Sequence, residues 1–184
     1  GALSLLATSG HDYRSEVLSG IRIDLDRLVD TDTWLPKWPR LWSHHTWRVS
    51  HWIGGIPAIL LNVARHGNES GISEESVRRV LEACDTYLVS PSTGCMRTYE
   101  SDALQWAFRA AYRLRHDPGH AEIGGLVHLH WPNYVLGRPY KAANKLVDRC
   151  MNDLRVWPFL ESTPYCLDFD YVQLLRTASS QCAE

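Results

Sequence analysis

Lysine, paired cysteine motifs and long apolar runs are scarce or missing in this sequence, and each shortage excludes a class of protein. The five cysteines are an odd number, and no two of them form a C-x-x-C pair. Neither a disulfide framework nor a compact zinc knuckle is therefore indicated. We expect the five side chains to be buried free thiols.

The charges argue against nucleic acid as a partner. Only three lysines accompany the sixteen arginines, and 21 acidic residues bring the formal net charge to -2. Because the chain also has no basic run, it lacks the electrostatic footprint of a nucleic-acid-binding protein. Arginine in place of lysine favours planar contacts to carboxylates or phosphates.

No apolar run approaches the roughly 20 residues that span a bilayer, so we expect no membrane association. The first ten residues, GALSLLATSG, lack the charged leader and the long apolar stretch of a signal peptide. These features predict a soluble protein, and its compartment stays open.

Familiar nucleotide and metal motifs are missing as well. The sequence has no G-x-S-x-G elbow, Walker loop or G-x-G-x-x-G fingerprint. His116 and His120 have the spacing of a zinc-binding helix, but Pro118 between them prevents the regular turn that would align them. His128 and His130 could chelate from an extended segment, although no H-E-x-x-H motif supports them. We therefore expect no metal and no cofactor.

The residues that are present suit one helical domain over residues 1–184. The chain is 45% apolar, which is enough for one filled core. Apolar residues recur at spacings of three and four, without sustained alternation of the strand type. Such stripes comprise Leu18, Ile21, Leu25 and Leu28; Val77, Leu81, Cys84 and Leu88; Leu104, Phe108, Ala111 and Leu114; Ala142, Leu146, Cys150 and Leu154; and Leu167, Tyr171, Leu174 and Ala178. About seven helices are predicted, in an all-α fold of helical hairpins that forms an open array, a partial or complete α/α toroid, or a compact bundle.

Three segments carry a resemblance to a known family. They read HWIGGIP, ISEESVRRVLEACDTYL and STGCMRTYESDALQWAFRAAYRLRHDP, within residues 43–118. This part of the chain resembles the helical toroid domain of the chondroitin, hyaluronate and xanthan lyases, which carry an NWW...IG.P segment followed by a G-A-N-R loop. The matching positions are His51 and Trp52 at the paired tryptophans, Gly54 and Pro57 in IG.P, and Gly94 and Arg97 in the loop. Met96 stands where the family has a catalytic asparagine, so the resemblance implies the toroid more directly than the eliminative chemistry.

The stretch SHHTWRVSHWIGGIP, residues 43–57, is the first candidate site. On a helix, His44, Arg48 and His51 share one face, and Trp47 also meets His51. A guanidinium can hold a carboxylate through two bonds, an imidazole can move a proton, and tryptophan offers a flat surface to a sugar ring. The alternative interpretation is a core helix with ordinary buried tryptophans.

The stretch HLHWPNYVLGRPYK, residues 128–141, is the second candidate. Its density of polar groups exceeds the needs of packing, and Asn, Tyr and Arg together could neutralise a uronate and assist proton transfer. A proline-punctuated connection is the alternative. The candidate catalytic residues are His51, Tyr134 and Arg138. The candidate substrate-binding residues are His44, Trp47, Arg48, Trp52, Arg97, Tyr99, His128, His130, Trp131, Asn133 and Lys141. Asp168 and Asp170 could be the paired carboxylates of glycoside hydrolysis, although a spacing of two places them on different helical faces. The alternative interpretation is acids in the first turn of a helix.

Two functions follow as hypotheses. The first is a carbohydrate-active helical protein, a polysaccharide lyase or glycoside hydrolase or a binding protein, with an acidic oligosaccharide or polysaccharide as its partner. The second is a non-enzymatic interaction domain with Trp34, Trp38 and Trp42 exposed. If the hairpins belong to a larger toroid, the chain should dimerise, associate with further hairpins, or expose apolar surface near Leu174 and Leu175.

Overall fold

The computed structural model describes residues 24–35, 46–66, 71–99, 101–111, 118–156 and 166–182. These ranges contain seven α-helices and one short 3-10 helix, Thr31–Thr33. The α-helices are α1 (Leu25–Val29), α2 (Thr46–His66), α3 (Glu74–Leu88), α4 (Asp102–Ala111), α5 (Pro118–Val135), α6 (Ala143–Leu154) and α7 (Cys166–Cys182). Within the same ranges, β structure is limited to one isolated bridge between Val89 and Met96. The predicted all-α fold is confirmed.

Helices α2 and α5 form the most extensive helix pair, and α3 and α7 pack beside it. Gly54 lies at a close approach of the two helices, because a Cβ atom at this position would be 2.6 Å from the backbone oxygen of His128. Pro132 has no N–H to donate to that same oxygen four residues earlier. The close approach therefore occurs at the backbone oxygen of His128, which lacks the hydrogen bond that the residue four positions later donates in a regular α-helix.

The clearest local signals in the sequence are found in α3 and α7. Ser73 caps α3, and its hydroxyl accepts a hydrogen bond from the backbone N–H of Ser76 at 3.1 Å. The predicted stripes of both helices are buried in the common core. Their buried members are Val77, Leu81, Cys84, Leu88, Leu167, Tyr171, Leu174 and Ala178.

Other expectations need correction. The stripe predicted for α4 is wrong at Leu104, which is 46% exposed, while its neighbour Gln105 is buried. Three of the five free cysteines are buried as expected, but Cys166 and Cys182 are exposed. His128 and His130 lie in α5 and not in an extended segment, because Pro118 begins this helix and Pro132 is accommodated inside it.

One of the three tryptophans expected to be exposed in an interaction domain is not at the surface. Trp34 is buried, and its indole N–H donates to the backbone oxygen of Leu28 at 3.1 Å. Trp38 and Trp42 lie outside the described residues. Leu174 is buried and Leu175 is partly buried, and exposed apolar side chains occur near them on α7 at Phe169 and Val172. In the part of the chain that the structure describes, no helix is long and apolar enough to cross a membrane.

Candidate functional site

A groove runs along one face of α2 beside the C-terminal half of α5. Its volume is about 640 Å³, within the range of ligand-binding pockets. Gly54, Gly55 and Ala58 leave space on its α2 side, because they have little or no side chain. The larger lining residues are His51, Leu61, Asn62, Arg65 and His66 from α2, with His128, Trp131, Pro132 and Val135 from α5. We call this feature the α2–α5 groove.

Two imidazoles stand at one end of the α2–α5 groove. The ring centroids of His51 and His128 are 4.3 Å apart, and the planes are tilted by 46°. The hydroxyl of buried Ser50 hydrogen-bonds Nδ1 of His128 at 2.8 Å and fixes the orientation of that ring. Burial, together with the neighbouring His51, lowers the pKa of His128 to about 4. His128 is therefore a neutral hydrogen-bonding group near neutral pH.

A carboxyl group from a distant part of the sequence lies near this pair. Burial raises the pKa of Asp170 to about 6, although the nearby His51 acts in the opposite direction. Asp168 lies in the first turn of α7, as predicted for an acid near the start of a helix, and is buried. No pattern in the sequence indicates that Asp170 would approach His51, because the two residues are 119 positions apart and their helices meet only through the tertiary fold.

An aromatic surface and a cation complete the α2–α5 groove. Trp131 is 56% exposed, so much of its indole ring faces solvent. At the far end, Arg65 donates to Glu74 at 2.8 Å and to the backbone oxygen of Val135 at 3.4 Å. Its ion pair with Glu74 is about 40% exposed on both sides, so water screens it and a competing anion can reach the guanidinium.

Most of the polar residues that follow Trp131 belong to a separate buried network. Arg138 donates to the carboxylate of Asp85 at 2.7 Å and to the side-chain oxygen of Asn133. The Asn133 amide donates to Nδ1 of His130 at 3.3 Å, and Lys141 donates to the backbone oxygen of Asp85 at 3.2 Å. This network joins α3 to the end of α5 and to the loop that follows it.

The electrostatics of that network indicate a structural role. Burial raises the pKa of Asp85, and the Arg138 guanidinium opposes the effect. Burial and the charge of Arg138 lower the pKa of His130 to about 3. The neutral His130 ring stacks on Tyr140, with centroids 3.9 Å apart and planes 8° from parallel. Each member is thus bonded to or packed against another part of the core.

The loop between α3 and α4 forms a third polar region. Arg97 donates to Asp102 at 2.8 Å and to the backbone oxygen of Tyr87 at 3.2 Å. Asp102 also accepts hydrogen bonds from Ser90 and Ser92. Although partial burial acts to raise the pKa of Asp102, the hydrogen bonds from the two serines and Arg97 lower it.

The structure brings together only part of the predicted site. His51, His128 and Trp131 line the α2–α5 groove, whereas Asn133, Arg138, His130 and Lys141 surround Asp85. Tyr134 is about half exposed but does not line the groove, and Tyr99 is partly buried. Arg97, in the α3–α4 loop, donates to Asp102 of α4 and to backbone oxygens at the end of α3. The side chains of Trp47, Arg48 and Trp52 and all of His44 lie outside the described part of the structure. The catalytic roles of His51, Tyr134 and Arg138 stay predictions.

Comparison with family models found no matching family, and searches of curated proteins and of solved structures returned no significant match. The resemblance to the lyase toroid therefore stays a prediction. In the described part of the chain, no group of three or more His, Cys, Asp or Glu side chains is arranged to hold a metal ion. The α2–α5 groove must be interpreted from its own chemistry.

Proposed function

We propose that this protein binds an acidic oligosaccharide in the α2–α5 groove. The observation that carries this proposal is the lining itself, in which an exposed tryptophan, three histidines and an arginine surround one cavity of about 640 Å³. None of the described lining residues has a carboxylate side chain. A ligand with sugar rings and carboxylates offers a complementary group to each of these side chains.

The lining suggests how such a ligand would be held. A sugar ring would pack its C–H face on Trp131, because the indole is a flat and exposed apolar surface. A uronate carboxylate near the far end would compete with Glu74 for Arg65. His51 and His66 are fifteen positions apart, which corresponds to about 22 Å of helix at about 1.5 Å per residue and favours an extended ligand over a single sugar.

The groove would hold its ligand through groups that are already in place. Gly54 allows α2 to approach His128, and Ser50 orients the imidazole of that residue. A hydrogen-bonding side chain whose orientation is already fixed, such as His128, lowers the entropic cost of binding. Arg138 is not part of the proposed contact surface, because its guanidinium binds Asp85 and Asn133 instead.

A thermal-shift screen tests the proposal. Tetragalacturonate and a hyaluronan tetrasaccharide should raise the melting temperature, because a ligand that binds only the folded state stabilises it. Cellotetraose at the same concentration serves as the neutral comparison and should give a smaller shift. No shift for either acidic tetrasaccharide would refute acidic-glycan binding.

A second candidate function is binding of a protein partner or of another copy of the chain. It is favoured by Phe169 and Val172, which are three residues apart on α7 and are both at least half exposed. A contiguous exposed apolar surface is one mark of a protein interface. Sedimentation velocity distinguishes this candidate, since a dimer formed through α7 should dissociate in Phe169→Asp, whereas a monomeric wild type would argue against self-association.

A further inference from the structure

Helix α4 presents an exposed tryptophan beside a second cavity. Trp106 is 71% exposed, and it lines a cavity of about 230 Å³ together with Asp102. The two residues are four positions apart, so they lie on the same face of the helix. Ser92 and Arg97 of the α3–α4 loop line the same cavity. We call it the α4 cavity.

The position of Trp106 is fixed by polar contacts of its neighbour Gln105, which lines the same cavity. Among the α4 side chains that the structure describes, Gln105 alone is buried. Its side-chain oxygen accepts the backbone N–H of Thr98 at 2.9 Å, and its amide donates to buried Glu122 of α5 at 3.0 Å. Because Gln105 anchors the helix, its neighbour Trp106 is held at the mouth of the cavity.

This arrangement is unusual for a helix that serves only packing. Leu104 and Trp106 face solvent while an amide is buried between them, although burial of large apolar side chains is the main favourable term in folding. An exposed aromatic surface beside a polar concavity is instead typical of a ligand-binding site.

The polar wall of the α4 cavity offers an acceptor next to donors. The Asp102 carboxylate has about four acceptor positions, and Ser90, Ser92 and Arg97 occupy three of them. The Arg97 guanidinium has five N–H groups, of which contacts to Asp102, Tyr87 and Thr86 use three. Counting contacts within the described residues, one acceptor position and two N–H groups remain at this ion pair.

We propose that the α4 cavity binds a neutral sugar ring, which stacks on Trp106 and shares two neighbouring hydroxyl groups with Arg97 and Asp102. A hydroxyl both donates and accepts, so a pair of them matches an adjacent carboxylate and guanidinium. The charges of Arg97 and Asp102 balance each other across 2.8 Å, and the buried carboxyl group of Glu122 also lines the cavity. This wall disfavours an anionic ligand, whereas the hydroxyl groups of a neutral ring need no counter-charge. The cavity is smaller than the usual range of about 300–1,000 Å³ for ligand pockets, in keeping with a single ring.

The α4 cavity is separate from the α2–α5 groove, since the two share no lining residue among those described. Binding of a neutral ring by Trp106 therefore does not require that an acidic glycan binds by Trp131. The two exposed tryptophans provide matched variants, because each can be truncated without removing a buried side chain.

Saturation-transfer NMR tests the site with the methyl glycosides of glucose, galactose and mannose. We expect transfer from the wild type to the ring protons of at least one glycoside. Trp106→Ala should reduce this transfer by about two- to tenfold, as loss of a stacked aromatic contact predicts. Trp106→Phe keeps a flat ring and should retain an intermediate signal. Asp102→Asn should weaken binding as well, and Trp131→Ala should leave the signal unchanged.

Several results would overturn the assignment. The site is rejected if none of the three glycosides receives saturation, or if Trp106→Ala gives the same signal as the wild type. A signal that Trp131→Ala abolishes and Trp106→Ala preserves would place the neutral sugar in the α2–α5 groove instead. A melting curve for each variant checks folding, and the comparison of Trp106→Phe with the wild type decides the matter if Trp106→Ala is unstable.

Discussion

Replacement of Gly54 by alanine should weaken the contact between α2 and α5. A Cβ atom at this position would lie 2.6 Å from the backbone oxygen and 2.7 Å from the Cβ of His128. Backbone atoms cannot move aside as a flexible side chain can, so the two helices would have to separate. Overpacking of a well-packed contact costs about 1–3 kcal/mol.

Gly55→Ala is the matched control, since it is the next residue of the same helix and its new methyl group would meet no described atom of another element within 4 Å. Both substitutions gain the helix propensity of alanine over glycine, about 1 kcal/mol. The free energies of unfolding of the two variants should therefore differ by the overpacking cost alone, with Gly55→Ala the more stable. For a chain of this size each kcal/mol corresponds to about 2–4 °C in melting temperature.

Urea unfolding followed by circular dichroism measures this difference, and a melting curve provides an independent check. Equal stability of the two variants, or a more stable Gly54→Ala, would refute the close approach of α2 to α5. That result would also remove the basis for placing His51 against His128.

Three further predictions concern the buried charges. Arg138→Ala should lower the free energy of unfolding by about 3–5 kcal/mol, because it leaves Asp85 buried without its partner. Arg65→Ala breaks an exposed ion pair and should lower the free energy of unfolding by less than about 1 kcal/mol. Equal losses of the two variants in urea unfolding would contradict the structural role of Arg138. The pKa of Asp170 is raised to about 6 from an ordinary value of 3.8, so the folded state binds more protons than the unfolded state between pH 3.8 and about 6. The contribution of Asp170 to stability therefore falls as the pH rises through this interval. Asp170→Asn should remove that pH dependence of stability, and an unchanged pH profile would count against the raised pKa. The pKa of His130 is lowered to about 3 from 6.5, so the contribution of this group to stability is complete above about pH 6.5 and is lost as the pH falls towards 3. His130→Phe should make stability fall less steeply with decreasing pH. A fall as steep as that of the wild type would show that another group is responsible.

Local patterns in the sequence were sufficient to predict most of the helices. The cap at Ser73 and the stripe from Leu167 to Ala178 depend on contacts between residues three or four positions apart, and such contacts can be seen in one sequence. Prolines were misleading in α5, because Pro118 and Pro132 suggested breaks. In the structure Pro118 takes a first-turn position where its missing N–H costs nothing, and Pro132 lies beside the close approach of Gly54.

The candidate site could be predicted only in part. The clusters around His51 and His128 were identified by their composition, and both contribute to the α2–α5 groove. The division of the second cluster could not be foreseen, because Arg138 is bound by Asp85, 53 positions earlier in the chain. The hydrogen bond from Gln105 to Glu122, which fixes the position of Trp106, likewise could not be foreseen, because it depends on how α4 packs against α5.

Binding of a hyaluronan tetrasaccharide to Trp131→Ala and Tyr134→Ala, measured by titration calorimetry, tests the central claim most directly. Both aromatic side chains are about half exposed and lie on α5, but only Trp131 lines the α2–α5 groove. We predict about a tenfold weaker affinity for Trp131→Ala, equivalent to about 1.4 kcal/mol, and wild-type affinity for Tyr134→Ala. Wild-type affinity in Trp131→Ala, or an equal loss in the two variants, would contradict the assignment of the groove to an acidic glycan.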